Sequence, residues 1–170
     1  MIRLLLLTLT LVGCASTPSS LVPPPTASEV TRVEGRLSVT QPDRRDTGSF
    51  EYRRNPTEQQ WRFSGPTGTH IGQLTLSKDQ ARWSPAKGEA QLAPTSEALT
   101  KETLGVSIPL EKANQWLTGT APAPAAGQLG TWQLEYLRYD EFDRPRIIEL
   151  TQGSTRVRIV VKTWQYSPNS

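Results

Sequence analysis

The chain carries one imidazole, His70, and one thiol, Cys14, so few covalent chemistries are open to it. A histidine can activate a serine nucleophile, but no Gly-x-Ser-x-Gly elbow is present. His70 follows the turn Gly65-Pro66-Thr67-Gly68 and reads more simply as a loop residue in water. A single cysteine excludes a disulfide within the chain, and one Cys with one His cannot build a zinc site of the usual kind. There is no Gly-x-x-x-x-Gly-Lys-Ser/Thr phosphate loop, no His-Glu-x-x-His pair and no Asp-rich calcium loop. Asp140, Glu141 and Asp143 cluster near Arg144 and Arg146, which reads as a solvated turn rather than a metal site. The pairs Arg44-Arg45 and Arg53-Arg54 read as wet hairpin ends. A net charge of +3 with both signs mixed argues against a nucleic-acid binder. The expectation is a protein without catalytic residues, metal or cofactor. What the chain has in surplus is aromatic: Trp61, Phe63, Trp83, Trp116, Trp132 and Trp164. Alternating strands bury such residues as plain core; the functional alternative is the wall of an apolar cavity.

Cys14 has a context of its own. Arg3 is a positive n-region, and Leu4 to Val12 is an apolar run far shorter than the ~20 residues a spanning helix needs. The following Leu11-Val12-Gly13-Cys14 resembles a bacterial lipobox, in which the cysteine is diacylated on sulfur and acylated again on its amine after cleavage. Residues 1–13 are therefore expected to be a lipoprotein signal peptide, with Cys14 as the lipid anchor. Two membrane signals already give stable anchoring, and three chains are effectively permanent. Ala15 stands where lipoproteins kept at the inner membrane often carry Asp, so the likeness is to an outer-membrane lipoprotein. Residues 14–28 are rich in Pro, Ser and Thr and uncharged, a tether with no means of burying a core.

Residues 29–170 are expected to form one domain. Val33, Leu37 and Val39 alternate with Glu34, Arg36 and Ser38, the mark of a half-buried strand. The same period places Phe50 with Tyr52, Trp61 with Phe63, Leu74 with Leu76, and Ala81 with Trp83. Turn residues separate these runs, which predicts an antiparallel meander. The middle changes period. Thr95 or Ser96 can cap a helix that Gly105 stops, and Ser107 with Pro109 can open a second one, Leu110 to Leu117, ended by Gly119. Gly119 to Gly130 reads as a loop. Strands then return: Thr131 to Arg138, with Trp132, Leu134 and Tyr136 on one face; Arg146 to Leu150; and Arg156 to Lys162, where Val160 interrupts the polar side. A short helix over Ala27 to Arg32 is a further expectation. Strands, two short helices and strands again give a mainly β fold with some α: an incomplete antiparallel β-barrel, a curved meander sheet with short helices over its open concave side.

The sequence resembles the LolB family, outer-membrane lipoproteins that receive other lipoproteins and insert them. The resemblance rests on the lipobox at Cys14, on Val33-Glu34-Gly35-Arg36-Leu37-Ser38-Val39, on Gly48-Ser49-Phe50 and on the turn Gly65-Pro66-Thr67-Gly68. It continues through Ile108-Pro109-Leu110, Gln115-Trp116-Leu117-Thr118-Gly119, Trp132-Gln133-Leu134-Glu135-Tyr136, Pro145 to Leu150, and Val157-Arg158-Ile159 with Trp164. It implies a half-barrel that takes acyl chains into an apolar cavity. It implies as partners a periplasmic LolA-like carrier, triacylated lipoprotein cargo and the outer membrane, with the domain facing the periplasm and acting as a monomer without nucleotide. The candidate cavity residues, taken from alternation and the helix stripe, are Trp61, Phe63, Leu74, Trp83, Leu110, Trp116, Leu117, Trp132, Leu134 and Tyr136. Gly65, Pro66, Thr67 and Gly68 match the family's membrane-delivery loop.

One position departs from that pattern. The family's loop carries an apolar residue at its tip where this chain has Thr67, followed by Thr69 and His70. Either Ile71 substitutes nearby, or this protein inserts cargo less through the tip. The alternative from another class is a structural lipoprotein, a scaffold in outer-membrane assembly with a filled core. A lipid or wall hydrolase would need a nucleophile paired with His70.

Overall fold

Strand alternation decides the architecture. The computed structural model describes residues 30–117 and 127–166. Ten strands form one antiparallel sheet: β1 Val30–Thr40, β2 Arg45–Arg54, β3 Gln59–Ser64, β4 His70–Leu76, β5 Ala81–Pro85, β6 Gln91–Ala93, β7 Gly127–Leu129, β8 Trp132–Tyr139, β9 Pro145–Gln152 and β10 Thr155–Tyr166. Their spatial order is β6-β5-β4-β3-β2-β1-β10-β9-β8-β7. Consecutive strands are neighbours except β6 and β7, which stand at opposite ends, and the first and last strands, β1 and β10, pair to join the two meanders. β6 and β7 end the sheet without pairing, so the barrel stays open. Between them in sequence run helix α1 Ser96–Leu104, a 3₁₀ turn Leu110–Lys112 and helix α2 Ala113–Trp116. Sheet and helices share one hydrophobic core contained within the described residues. Cys14 and the segments expected to be signal peptide and tether lie outside them.

The inward face carries the apolar set expected from period two. Val33, Val39, Phe50, Tyr52, Trp61, Leu74, Leu76, Ala81, Trp132, Leu134, Val157, Ile159 and Val161 are all buried. Arg36, Arg62, Glu135, Arg158 and Lys162 alternate with them and are exposed. Gly72 also faces inward, and there the missing side chain has a use. A Cβ at Gly72 would lie 2.5 Å from the Trp83 ring and 2.9 Å from the Ser84 carbonyl oxygen. Gly72→Ala is therefore expected to displace the Trp83 indole and cost about 1–3 kcal/mol. A lowered urea midpoint with an altered near-UV signal checks it.

Helix α1 is bounded as its sequence predicts. Thr95 is the N-cap, its hydroxyl accepting the Ala98 N–H at 3.2 Å, and Gly105 closes the helix in the left-handed region at φ 75°. The second helix is shorter than expected. Pro109 at φ −81°, ψ 69° is not helical and makes no capping hydrogen bond, so the chain takes one 3₁₀ turn before the four residues of α2. Its expected end at Gly119 lies outside the described residues.

Three expectations need correction. No helix occupies Val30–Arg32, which belongs to β1; residues 27–29 are outside the described set. Val30 and Val33 are both buried at a three-residue spacing that looks helical. A register shift between Val30 and Arg32 in the pairing with β10 turns both inward, and a bulge of this kind has no sequence period. The stretch read as a loop from Gly119 to Gly130 contains β7, which pairs with β8. β6, only three residues long, was not anticipated; it pairs with β5.

Candidate functional site

Between the inward sheet face and α1 lies a cavity of about 310 Å³. Its walls come from Leu37 and Val39 of β1, Trp61 and Phe63 of β3, Leu74 of β4, Trp83 of β5, and Val157 and Ile159 of β10. Leu99, Thr100, Thr103 and Leu104 of α1 roof it, with Ile108 and Leu110 beside them. The hydroxyls of the roof are already committed. Thr100 Oγ1 donates to the Ser96 carbonyl at 2.7 Å and accepts the Ile108 N–H at 2.8 Å. Thr103 Oγ1 donates to the Leu99 carbonyl at 2.9 Å. Asp46, also on the lining, is paired with Arg44 at 2.6 Å. Such a surface is suited to apolar groups.

The aromatic wall is continuous. Trp61 lies 4.9 Å from Tyr52 and 5.5 Å from Phe50, centroid to centroid. It stacks on Phe63 at 6.1 Å with 6° between the planes, and Phe63 meets Trp83 at 6.0 Å.

Of the ten residues expected at the cavity, Trp61, Phe63, Leu74, Trp83 and Leu110 line it together. Trp116, Leu117, Trp132, Leu134 and Tyr136 are not on its lining. The first four are buried core, and Tyr136 is half-buried. The physical reason is that the segment 107–117 covers this half of the sheet. Trp132 Nε1 donates to the Ser107 carbonyl at 2.7 Å, and Trp164 Nε1 donates to the Leu117 carbonyl at 3.2 Å. The two indoles tie that segment to β8 and β10. Trp116 packs behind the wall, 6.4 Å from Trp61. Burial holds the Tyr136 phenol above its usual pKa, with Tyr139 beside it adding to the effect. Sequence reasoning had placed Leu37 and Val39 on the right face and Leu99 and Leu104 in the helix without assigning them to the cavity.

α1 is tied to the following segment through Ser96, which is fully buried. Its hydroxyl accepts the Leu110 N–H at 2.9 Å, and the Glu111 carboxylate takes hydrogen bonds from both its backbone N–H and its hydroxyl. This latch is the main polar connection between the roof and the rest of the helical cover.

The turn Gly65–Gly68 borders the site. The Gly68 N–H donates to the Gly65 carbonyl at 2.9 Å, the Gly65 N–H donates to the Thr69 carbonyl at 2.8 Å, and the Thr67 and Thr69 hydroxyls are 3.1 Å apart. The tip is thus polar and exposed. Ile71 is different: it lines the cavity, is 47% exposed, and approaches Gly65. Strand parity alone would send it outward. It is the extra residue of a bulge, since Phe63 pairs with Gly72 and Ser64 with His70, and the bulge re-aims it. His70 is exposed at the start of β4.

The acidic cluster is a turn with a structural task. Asp140 Oδ1 accepts the N–H groups of Phe142 and Arg144 at 3.0 Å each, and Oδ2 pairs with the Arg144 guanidinium at 2.7 Å. Arg144 in turn lies 4.6 Å over the Trp164 ring and donates to Tyr166 Oη at 3.1 Å. Burial pushes the Asp140 carboxyl up, but the hydrogen bonds and charge of Arg144, with the Phe142 N–H, hold it below its ordinary value. Stability from this group is full above the unfolded carboxyl pKa of about 3.9 and is lost as pH falls through the lower folded value. Asp140→Asn is expected to cost about 2–4 kcal/mol at pH 7, with the gap to wild type closing only below about pH 4. Urea midpoints measured from pH 7 to pH 2.5 check it.

A family model described as outer membrane lipoprotein LolB matches residues 31–164. The chain belongs to the LolB family. The match spans every residue that lines the cavity, and the turn at its edge. This chain is 28% identical to the outer-membrane lipoprotein LolB of Chromobacterium violaceum, over 96% of this chain and 98% of that one. It is also 28% identical to LolB of Pseudomonas fluorescens, over 79% and 73%, and 24% identical to LolB of Vibrio vulnificus, over 95% of each. Among solved structures it resembles a LolA superfamily protein of Nitrosomonas europaea with a TM-score of 0.51 at 10% identity, covering 86% of this chain and 89% of that one. That likeness concerns the fold. No helix among the described residues is long and apolar enough to cross a membrane.

Proposed function

We propose that this protein is a receptor at the outer membrane that takes triacylated lipoproteins from a periplasmic LolA-like carrier, holds their acyl chains in the cavity under α1, and passes them to the bilayer without nucleotide. The observation that carries this reading is a 310 Å³ cavity whose lining is mostly apolar and whose roof hydroxyls are already paired. Exposing one acyl chain to water costs on the order of 10 kcal/mol at ~0.8 kcal/mol per CH₂. A three-chain lipoprotein cannot cross water freely, whereas exchange between two apolar cavities is nearly level in free energy. No energy source is then needed in this chain.

The cavity stands near the bottom of the ~300–1,000 Å³ range of ligand pockets, so three chains need more room than the closed form gives. Release of the Ser96–Glu111 latch and outward movement of α1 would supply it. Cys14 would anchor the domain through the uncharged tether. Ile71 takes the place of the apolar loop tip that Thr67 does not supply, since it is exposed beside the turn and continuous with the cavity. The scaffold alternative expects a filled core, and the cavity counts against it.

The test mixes the chain from residue 14 onward, carrying Cys14→Ala, with a carrier loaded with a triacylated lipoprotein and no nucleotide. Cargo co-purifying with this chain supports the reading. Cargo remaining on a carrier that serves another receptor, with this chain folded, refutes it.

A further inference from the structure

A second groove, of about 440 Å³, lies on the opposite side of the sheet from the helices. The outward residues of β1, β2 and β10 make its floor: Arg36 stands opposite Val160 on one side and Ser49 on the other, and Ser38 opposite Arg158. The Gly65–Gly68 turn makes one wall, and Lys162 completes the cationic rim. Leu37, Thr47 and Gly48 line both this groove and the apolar cavity, so the two adjoin. The wall is held close. A Cβ at Gly48 would lie 2.4 Å from the Ser64 carbonyl oxygen, so the chain leading into the turn packs on β2 only because that position is glycine.

The charges are unbalanced. Arg36 and Lys162 are exposed and make no ion pair among the described residues. Arg158 shares Glu149 with Arg156, which leaves that trio one positive charge in excess. The nearby outward carboxylates, Glu34 and Glu51, are both engaged by Arg32, and Glu51 also by Arg53. The Ser38 and Ser49 hydroxyls face the groove among these cations. Val160 is 37% exposed on a strand whose other outward residues near it are charged. Cations and hydroxyls suit a phosphate. An apolar floor beside them suits the glycerol–acyl boundary of a lipid, which a free phosphate would leave uncovered.

We propose that this groove binds phosphate headgroups of an anionic phospholipid bilayer and thereby lays the Gly65–Gly68 turn and the cavity mouth against the membrane. The inference rests on the receptor reading for its purpose but not for its test. Each cation near an anionic surface is worth about fivefold in binding at moderate salt, and the attraction is screened within roughly 10 Å at 0.1 M salt.

The experiment measures binding to vesicles of phosphatidylcholine alone or with one-third phosphatidylglycerol, using the chain from residue 14 with Cys14→Ala, whose sheet and core need only the described residues. The expected result is binding that requires phosphatidylglycerol, weakens in 0.5 M salt, and drops about twentyfold in the Arg36→Gln/Lys162→Gln variant. The variant's urea midpoint should stay within error of the parent, since neither side chain has an ion-pair partner to lose. Binding indifferent to phosphatidylglycerol, or equal in the variant, overturns the proposal. So does competition by millimolar inorganic phosphate for a site that no vesicle occupies. Receipt of cargo from the carrier is measured on both proteins in solution. A variant that keeps vesicle binding but loses receipt shows that the groove docks the carrier and overturns the membrane assignment. Vesicle binding as predicted with no cargo receipt by either protein refutes the receptor reading and leaves the groove standing.

Discussion

Leu104→Glu should reduce receipt of acylated cargo about thirtyfold or more while leaving the protein folded. Leu104 is half-buried at the end of α1 and lines the cavity. In the empty protein a glutamate there can reach water from the helix end, and the helix propensities of Leu and Glu are close. Lost burial and a carboxylate at a helix C-terminus together cost ~1–2 kcal/mol of stability. When an acyl chain fills the cavity, the same carboxylate must give up water without a partner, a penalty of at least ~2 kcal/mol. That penalty falls on the loaded state alone, which is why transfer suffers far more than folding. Leu92→Glu is the control: Leu92 is exposed on β6 and does not line the cavity. Its receipt of cargo should match the parent. Equal receipt by the Leu104→Glu variant, with its fold verified, would place the acyl chains elsewhere.

Trp61→Ala should cost about 3–5 kcal/mol, a large share of the roughly 5–15 kcal/mol that stabilises a typical domain. Trp61 is 1% exposed and contacts Phe50, Tyr52, Phe63 and Trp116 at once, so the hole it leaves has no single neighbour able to fill it. Trp61→Phe should behave differently. Trp61 Nε1 is buried with no hydrogen-bond partner, and phenylalanine removes that unsatisfied group together with the volume. A cost of no more than about 1.5 kcal/mol is expected for it. Urea unfolding of the two variants reads the difference directly. A large loss in Trp61→Phe equal to that of Trp61→Ala would mean that the indole N–H has a partner the structure does not include.

Most of the sheet could be read from period two, because each long strand has one wet face and one dry one. β1, β2, β3, β4, β5, β8 and β10 contain the runs that alternation predicts, β9 contains the expected Arg146–Leu150 stretch although its burial does not alternate, and Thr95 and Gly105 bound α1 as their chemistry requires. The failures have a common cause in bulges and in short edges. Val30 and Val33 share a face only because β1 is irregular opposite β10, and Ile71 reaches the cavity only because β4 bulges opposite β3. β6 and β7, each three residues long, are too brief to show any period. The candidate site was half legible. Alternation identifies inward residues, and Trp61, Phe63, Leu74 and Trp83 followed from it. It does not say which part of the inward face a cover segment fills. Trp132 and Trp164 hold residues 107–117 against the sheet through their indole N–H groups, and that contact between distant parts of the chain has no local signature.

Under the proposed function, acyl chains lie between α1 and the inward face of β1 to β5 and β10. A photoreactive benzoylphenylalanine at Phe63 tests it most directly, with the same group at Leu92 for comparison, each irradiated after cargo has been received from a loaded carrier. Phe63 lines the cavity and Leu92 points to solvent on the sheet edge. An adduct at position 63, mapped by mass spectrometry to the cargo's acyl chains and absent at position 92, is the predicted result. Cargo that is received but never joins position 63, or joins both positions equally, would contradict the claim.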